Sequence, residues 1–182
     1  MNIYLFQKIL GIGVLVLQIG IVALIIYLIY KKITKKSITW IDSLFADYGM
    51  WFAGFTALFA IIGSLIFSDI YHIEPCKLCW VQRIFIYPQA LIMFIAAWKH
   101  DFKVWTYTLW LSILGLLIAL YQVNEQLDIT NIIPEADCVA GADAACSQIH
   151  MLEFGYITFP LASATLFIFI LVLYSMRNKK SA

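Results

Sequence analysis

Five long apolar runs fill most of the sequence and restrict it to a membrane fold. Each run is close to the roughly 20 residues that a helix needs to cross a hydrocarbon core of about 30 Å. With 63% hydrophobic and only 13% charged residues, the 182-residue chain lacks the polar side chains to cover a soluble domain of this size. The sequence therefore predicts an all-α integral membrane protein with five spans. The runs are residues 9–30, 48–67, 80–98, 104–123 and 156–176.

The short connections between the last four runs predict how the helices are arranged. Residues 48–176 are expected to form an antiparallel four-helix transmembrane bundle, because short loops place consecutive helices side by side. One extra N-terminal transmembrane helix lies within residues 1–47, and residues 177–182 form a tail. A cleaved signal peptide is the alternative for the first run. We expect a retained helix instead, because the apolar stretch is long and the only charge before it is Lys8.

The distribution of Lys and Arg between the loops predicts the orientation. Nine of the 12 basic residues fall in loops on one side, and such an excess marks the cytoplasmic face. The C-terminus is then cytoplasmic, and segments 68–79 and 124–155 face the outside, where disulfides persist. The nine residues are Lys31, Lys32, Lys35, Lys36, Lys99, Lys103, Arg177, Lys179 and Lys180.

Two further expectations concern the ends of the spans. Residues 31–47 are predicted to form a cytoplasmic linker that is basic at first and amphipathic over residues 40–45. Tryptophans near span ends are predicted to anchor the protein at the membrane interfaces, where amphipathic rings are favoured. These tryptophans are Trp51, Trp80, Trp98, Trp105 and Trp110.

All four cysteines lie outside the apolar runs, in two pairs. Cys76 and Cys79 form a CxxC motif directly before the third run, and Pro75 before them fits a helix start. A helix N-terminus stabilises negative charge, and the thiolate is the form of cysteine that attacks disulfides. The motif therefore predicts a redox-active dithiol.

Two polar residues at the span ends are candidates to assist this dithiol. Arg83 lies one helical turn beyond Cys79 on the same face, and a cation inside the apolar region costs roughly 3 kcal/mol on insertion scales. It is placed to stabilise a thiolate or to hold a quinone carbonyl. The alternative is an interfacial arginine whose charged head reaches the lipid headgroups. Gln122, at the end of the fourth run, is either a quinone ligand or an ordinary helix-end residue.

Cys138 and Cys146 lie in segment 124–155, which has six acidic residues and no Lys or Arg. A structural disulfide is the ordinary explanation for an exported pair. A second dithiol near a CxxC instead favours a relay, since thiol exchange passes through mixed disulfides and needs access. The acidic segment fits either solvation or a docking surface. Tetrahedral zinc is disfavoured and no metal is expected, because two membrane helices separate the pairs and no His has matching spacing.

Two short segments carry a family resemblance: CKLCWVQRI at residues 76–84 and FGYITFP at residues 154–160. The first closely resembles the DsbB family of membrane thiol:quinone oxidoreductases, especially its BdbC-like branch. The second resembles the segment that follows the second cysteine pair in that family. The resemblance covers about residues 45–176 and leaves the first apolar run outside it.

The resemblance implies a four-helix bundle in a bacterial cytoplasmic (inner) membrane that binds ubiquinone or menaquinone. It also implies an extracytoplasmic thioredoxin-fold partner of the DsbA or BdbD type; no nucleic-acid partner is expected. By position, Cys138 and Cys146 would oxidise the partner's dithiol, with Cys138 the attacked sulfur. Electrons would then pass to Cys76 and Cys79, and Cys79 would react with the quinone beside Arg83.

The chain departs from the family pattern in its second cysteine pair and at Gln122. The pair is much closer together than in the proteobacterial prototype, and Gln122 stands where many members have a histidine. The order of disulfide exchange between the two loops therefore does not carry over from the family, and neither does a proton relay at residue 122. A vitamin K epoxide reductase-like enzyme is one alternative, although there the loop pair precedes the CxxC. A membrane scaffold with two structural disulfides is the non-enzymatic alternative.

Overall fold

The computed structural model describes residues 2–127 and 149–177, and most of them are helical. Each of five helices is long and apolar enough to cross a membrane, which confirms the prediction of an all-α protein with five transmembrane helices. In the part of the chain that is described, the only β pairing is an isolated bridge between Glu153 and Ile157. The helices are α1 (Ile3–Thr34), α2 (Thr39–Leu65), α3 (Lys77–Lys99), α4 (Val104–Leu127) and α5 (Phe159–Met176).

Helices α2 to α5 form a closed ring, and α1 lies outside it. In the ring α2 contacts α3 and α5, and α4 contacts the same two helices, while α1 packs on α5. Membrane helices associate through close packing, because the hydrophobic effect does not drive them together in lipid, and small residues allow this close approach. A methyl group at Gly115 on α4 would overlap the ring of Phe167 on α5. The ring corresponds to the predicted four-helix bundle, and its first helix begins at Thr39 rather than at residue 48.

A buried polar pair joins α3 to α4 in the middle of the ring. The hydroxyl of Ser112 donates a hydrogen bond of 3.1 Å to Oε1 of Gln89, and both residues are fully buried. A polar group in a hydrocarbon environment is costly without a partner, so this pair favours one alignment of the two helices.

The connection between α1 and α2 is shorter than the sequence predicts, because α2 already begins at Thr39. The predicted linker over residues 31–47 is therefore wrong in extent. The carboxylate of Asp42 accepts hydrogen bonds from Lys31 at 2.6 Å and from the hydroxyl of Tyr27 at 2.9 Å. These contacts satisfy the charge of Asp42, so the polar start of α2 can be helical.

Two more differences concern helix ends. Helix α5 begins at Phe159 rather than at residue 156, with Pro160 in its first turn, where the missing N–H of proline is tolerated. Trp105 is not an interfacial anchor: it is 2% exposed and its ring packs edge-on against Tyr174. The other predicted anchors are partly or largely exposed, with Trp98 the most exposed of them at 82%.

Candidate redox site at the start of helix α3

The cysteine end of the bundle is where α1, α3 and α5 begin and where α2 and α4 end. Cys76 is the N-cap of α3, and Cys79 lies in the first helical turn. Their sulfur atoms are 3.3 Å apart. Both sulfurs therefore lie at the helix N-terminus that the sequence predicts, where backbone N–H groups favour negative charge.

A buried glutamine from α4 contacts both sulfurs. Nε2 of Gln122 donates a hydrogen bond to Sγ of Cys76 at 3.2 Å and lies 3.5 Å from Sγ of Cys79. Its own Oε1 accepts a hydrogen bond of 2.8 Å from Nε2 of Gln82, which fixes the direction of the amide. Gln122 is 1% exposed, so it is not an ordinary helix-end residue. Amide N–H groups that point at sulfur stabilise a thiolate.

Arg83 is held inside the protein and does not extend to the headgroups. Nε donates a hydrogen bond to Oγ of Ser64 at 2.9 Å, and Nη2 donates to the backbone oxygen of Ser64 at 3.1 Å. The guanidinium also lies 5.0 Å from the ring centroid of Trp80, a cation–π distance. Only 9% of Arg83 is exposed, which excludes the interfacial alternative for this residue. Ser64 lies two residues before the π-helical turn Ile66–Ile70 that extends α2.

A cavity of about 490 Å³ opens beside these groups. The polar side chains of its lining gather at the cysteine end and include both cysteines, Arg83 and Gln122, beside apolar ones such as Phe67 and Ile73. Away from that end the lining is apolar, and it comes from α1, α2 and α5: Val16, Leu17, Phe59, Ala60 and Leu166. The cavity is thus shaped for a molecule with one polar and one apolar end.

Three residues of this site are missing from the sequence-based candidates, and only one of them had a usable signal in the sequence. Gln82 and Ser64 act through contacts across helices, and spacing along one chain does not reveal such contacts. Tyr87 lies one turn beyond Arg83 and lines the same cavity. Its hydroxyl is buried and finds no hydrogen-bond partner within residues 2–127 and 149–177. The position of Tyr87 four residues after Arg83 was a usable signal, since such residues share a helix face.

The second cysteine pair lies outside the described residues. The roles that the resemblance implies for Cys138 and Cys146 therefore remain predictions. The docking role considered for the acidic segment around them also remains a prediction. The structure does bring together Cys76, Cys79 and Gln122, and it places Arg83 on the wall of the same cavity.

Comparison with known proteins identifies the family. The family model described as disulfide bond formation protein DsbB matches residues 46–176, which include the site. The chain belongs to the DsbB family. Helix α1 lies outside the matched range, so this DsbB-family protein has a transmembrane helix that the family model does not cover.

Named relatives agree with this assignment to the DsbB family. The chain is 40% identical over 144 residues to the "Probable disulfide formation protein" of Coxiella burnetii (strain Dugway 5J108-111), covering 76% of this chain and 97% of the relative. It is 39% identical over 116 residues to the "Disulfide bond formation protein C" of Bacillus subtilis (strain 168), covering 64% and 82% respectively. No solved structure matches.

The amide pair of Gln82 and Gln122 is expected to behave as one unit in stability measurements. Changing either residue alone to leucine leaves a buried amide without its partner, and we expect a loss of about 1–3 kcal/mol. The double variant should lose clearly less than the sum of the two single variants. Unfolding of all four proteins in detergent gives the coupling energy. The control combines Gln82→Leu with Ile95→Ala, at a half-exposed position, and there the two losses of stability should add. Additive losses for the glutamine pair would contradict the prediction.

Proposed function

We propose that this DsbB-family protein is a protein-dithiol:quinone oxidoreductase that makes disulfide bonds. One observation carries the proposal: a sulfur pair lies at the polar end of a cavity whose other end is apolar. A prenylated quinone has this distribution of polarity. Family membership supports the disulfide chemistry, and the cavity supports a lipid-soluble electron acceptor.

The proposed reaction transfers two electrons and two protons. The dithiol of an extracytoplasmic thioredoxin-fold oxidase becomes a disulfide by reducing the Cys138–Cys146 disulfide. The Cys138–Cys146 dithiol is then reoxidised as the Cys76–Cys79 disulfide opens. The Cys76–Cys79 disulfide re-forms as a bound quinone takes up the two electrons and two protons and leaves as the quinol. Every disulfide that opens is thus balanced by one that forms.

The residues at the polar end fit a quinone headgroup, either ubiquinone or menaquinone. Arg83 can donate hydrogen bonds to an acceptor oxygen while Ser64 holds its guanidinium in place. Tyr87 offers a second donor, because its hydroxyl has no partner among the described side chains. Gln122 acts on the sulfurs, and we assign it the role of keeping Cys76 and Cys79 oriented and favouring the thiolate.

We propose a bacterial inner-membrane location with the cysteine end facing the outside and the C-terminus in the cytoplasm. The excess of Lys and Arg in the opposite loops supports this orientation. It places the CxxC and the acidic segment in the oxidising compartment, where a thioredoxin-fold partner can reach them.

The decisive experiment combines quinone reduction with thiol trapping. Purified protein in lipid nanodiscs receives a reduced thioredoxin-fold oxidase and a quinone, and quinol formation is followed by absorbance. Alkylation of samples with and without quinone shows which cysteines turn over. Two structural disulfides would stay closed down to potentials below about -300 mV and would support no quinol formation. That result would overturn the proposal.

Changing Cys138 to serine should separate the two halves of the reaction. Without this sulfur no mixed disulfide forms with the partner, so turnover with the partner should fall to background. Reoxidation of a chemically reduced Cys76–Cys79 pair by quinone should stay within about twofold of wild type, because that step uses a different dithiol. Ser147→Ala, next to the second cysteine, is the matched control. Loss of both halves in Cys138→Ser would indicate a different order of transfer.

A further inference from the structure

Helix α1 is fixed to the bundle at three levels, although it lies outside the range that the family model matches. Near the cysteine end, Nε2 of Gln7 donates a hydrogen bond to the backbone oxygen of His150 at 3.1 Å. One level deeper, Gln18 accepts a hydrogen bond of 2.8 Å from the hydroxyl of Tyr156 and donates one of 3.2 Å to Thr165. These contacts fix α1 against α5 and the segment that precedes it.

At its far end α1 is tied to α2 as well. The Lys31–Asp42 ion pair and the Tyr27 hydroxyl make that connection. Near the cysteine end α1 touches α2 again, because Leu10 of α1 lies against Gly63 of α2. The contact is close, since a methyl group added at Gly63 would lie 3.3 Å from the Leu10 side chain. The two helices are therefore joined at both ends.

Between these two contacts α1 and α2 separate, and glycines on α1 keep the gap open. Gly13 and Gly20 line the cavity, and a methyl group at either would meet no atom within 4 Å. They are seven residues apart, so they share one face of the helix. Gly11 differs, because a methyl group there would lie 2.8 Å from Cβ of Glu153. Gly11 serves helix packing, whereas Gly13 and Gly20 preserve open space.

The gap is continuous with the chamber at the cysteines and also reaches the lipid-facing surface. Gly20 lines the same cavity as Cys79 and Arg83. Two other lining residues are largely exposed, Val16 on α1 at 62% and Phe59 on α2 at 68%. A molecule can therefore extend from the polar chamber along α1 and into the bilayer.

We propose that α1 is the wall of the acceptor site that binds the isoprenoid tail of the quinone, and that Gly13 and Gly20 provide the room for it. This inference rests on the proposed function, because it concerns the same quinone. The headgroup lies at the cysteines and Arg83, and the tail leaves through the gap between α1 and α2. An added side chain at Gly20 then competes with the tail and leaves the headgroup site intact.

The test compares quinones with and without a tail on full-length protein in nanodiscs. Gly20→Leu is expected to weaken binding of a long-tailed quinone by about tenfold or more, because the leucine side chain fills the space for the tail. Binding of a tailless quinone with the same ring should change by less than about twofold. Affinity is read directly from quenching of tryptophan fluorescence, and KM for quinol formation is a second readout. Ala23→Leu is the matched control, since Ala23 is exposed and outside the cavity lining.

The affinities for tailed and tailless quinones together decide whether the gap holds the quinone tail. Equal losses of affinity for tailed and tailless quinones would mean that the substitution only displaces α1. No loss of affinity for either quinone would mean that a lipid chain fills the gap. Each of these two results would overturn the inference. Failure of the wild-type protein to bind any quinone would instead overturn the proposed function. If Gly20→Leu does not fold, Gly20→Ala and Gly20→Val replace it, and the loss for the tailed quinone must then grow with side-chain volume.

Discussion

Changing Cys79 to serine is expected to lower the rate of quinol formation by at least about 1,000-fold, or about 4 kcal/mol in activation free energy. Serine cannot form a disulfide, and its hydroxyl is a far weaker nucleophile than a thiolate at neutral pH. Cys79 lies in the first turn of α3, one turn before Arg83, so we assign it the contact with the quinone. The rate is measured as partner-dependent quinol formation in nanodiscs.

Cys76→Ser is the matched variant, because it also breaks the disulfide but leaves Cys79 in place. Both variants should lose turnover, so a second measurement separates them. With Cys138 and Cys146 also changed to serine, one thiol remains and its alkylation rate can be followed. A bound quinone should protect the remaining Cys79 and protect the remaining Cys76 much less. The reverse pattern would transfer the quinone-contacting role to Cys76.

Changing Arg83 to alanine is expected to raise KM for quinone by about 10- to 100-fold, because one or two charge-assisted hydrogen bonds to the quinone are lost. The guanidinium lines the cavity, and its two hydrogen bonds to Ser64 hold it there. Among residues 2–127 and 149–177, no acidic side chain forms an ion pair with it. Thiol exchange between the partner and the second cysteine pair should change much less, because it uses other residues. Stopped-flow measurement of each half-reaction gives the two rates separately.

Two further variants refine this prediction. Arg83→Lys keeps the charge but loses the fork that contacts both oxygens of Ser64, so an intermediate KM is expected. Lys77→Ala removes an exposed cation from the same helix and should leave KM unchanged. An unchanged affinity for quinone in Arg83→Ala would remove Arg83 from the acceptor site. A loss shared equally by Lys77→Ala would point to a general effect of charge.

Some of the site follows from local sequence and some does not. The positions of Cys79 and Arg83 on one face follow from the helical period, and the helix start at Cys76 follows from the proline before it. The partner of Arg83 could not be predicted, because Ser64 lies 19 residues earlier on another helix. Trp105 was misplaced for a related reason: depth near a span end does not determine whether a side chain points inward.

The role of α1 could not be predicted from the sequence at all. Its apolar residues surround the helix on every side, so no periodicity indicates which face is buried. Its glycines looked alike in the sequence, whereas the structure separates packed Gly11 from open Gly13 and Gly20. That distinction depends on what lies opposite each glycine, which only the assembled bundle reveals.

The buried pair of Gln89 and Ser112 has a consequence for the distant sulfurs. Cys79 precedes Gln89 by ten residues on α3, and Gln122 follows Ser112 by ten residues on the antiparallel α4. Sliding one helix by a single turn, about 5.4 Å, would separate both pairs at once. The mid-bundle pair therefore opposes such a slide with the modest strength of one interhelical hydrogen bond, and it favours the alignment that keeps the amide of Gln122 level with the cysteines.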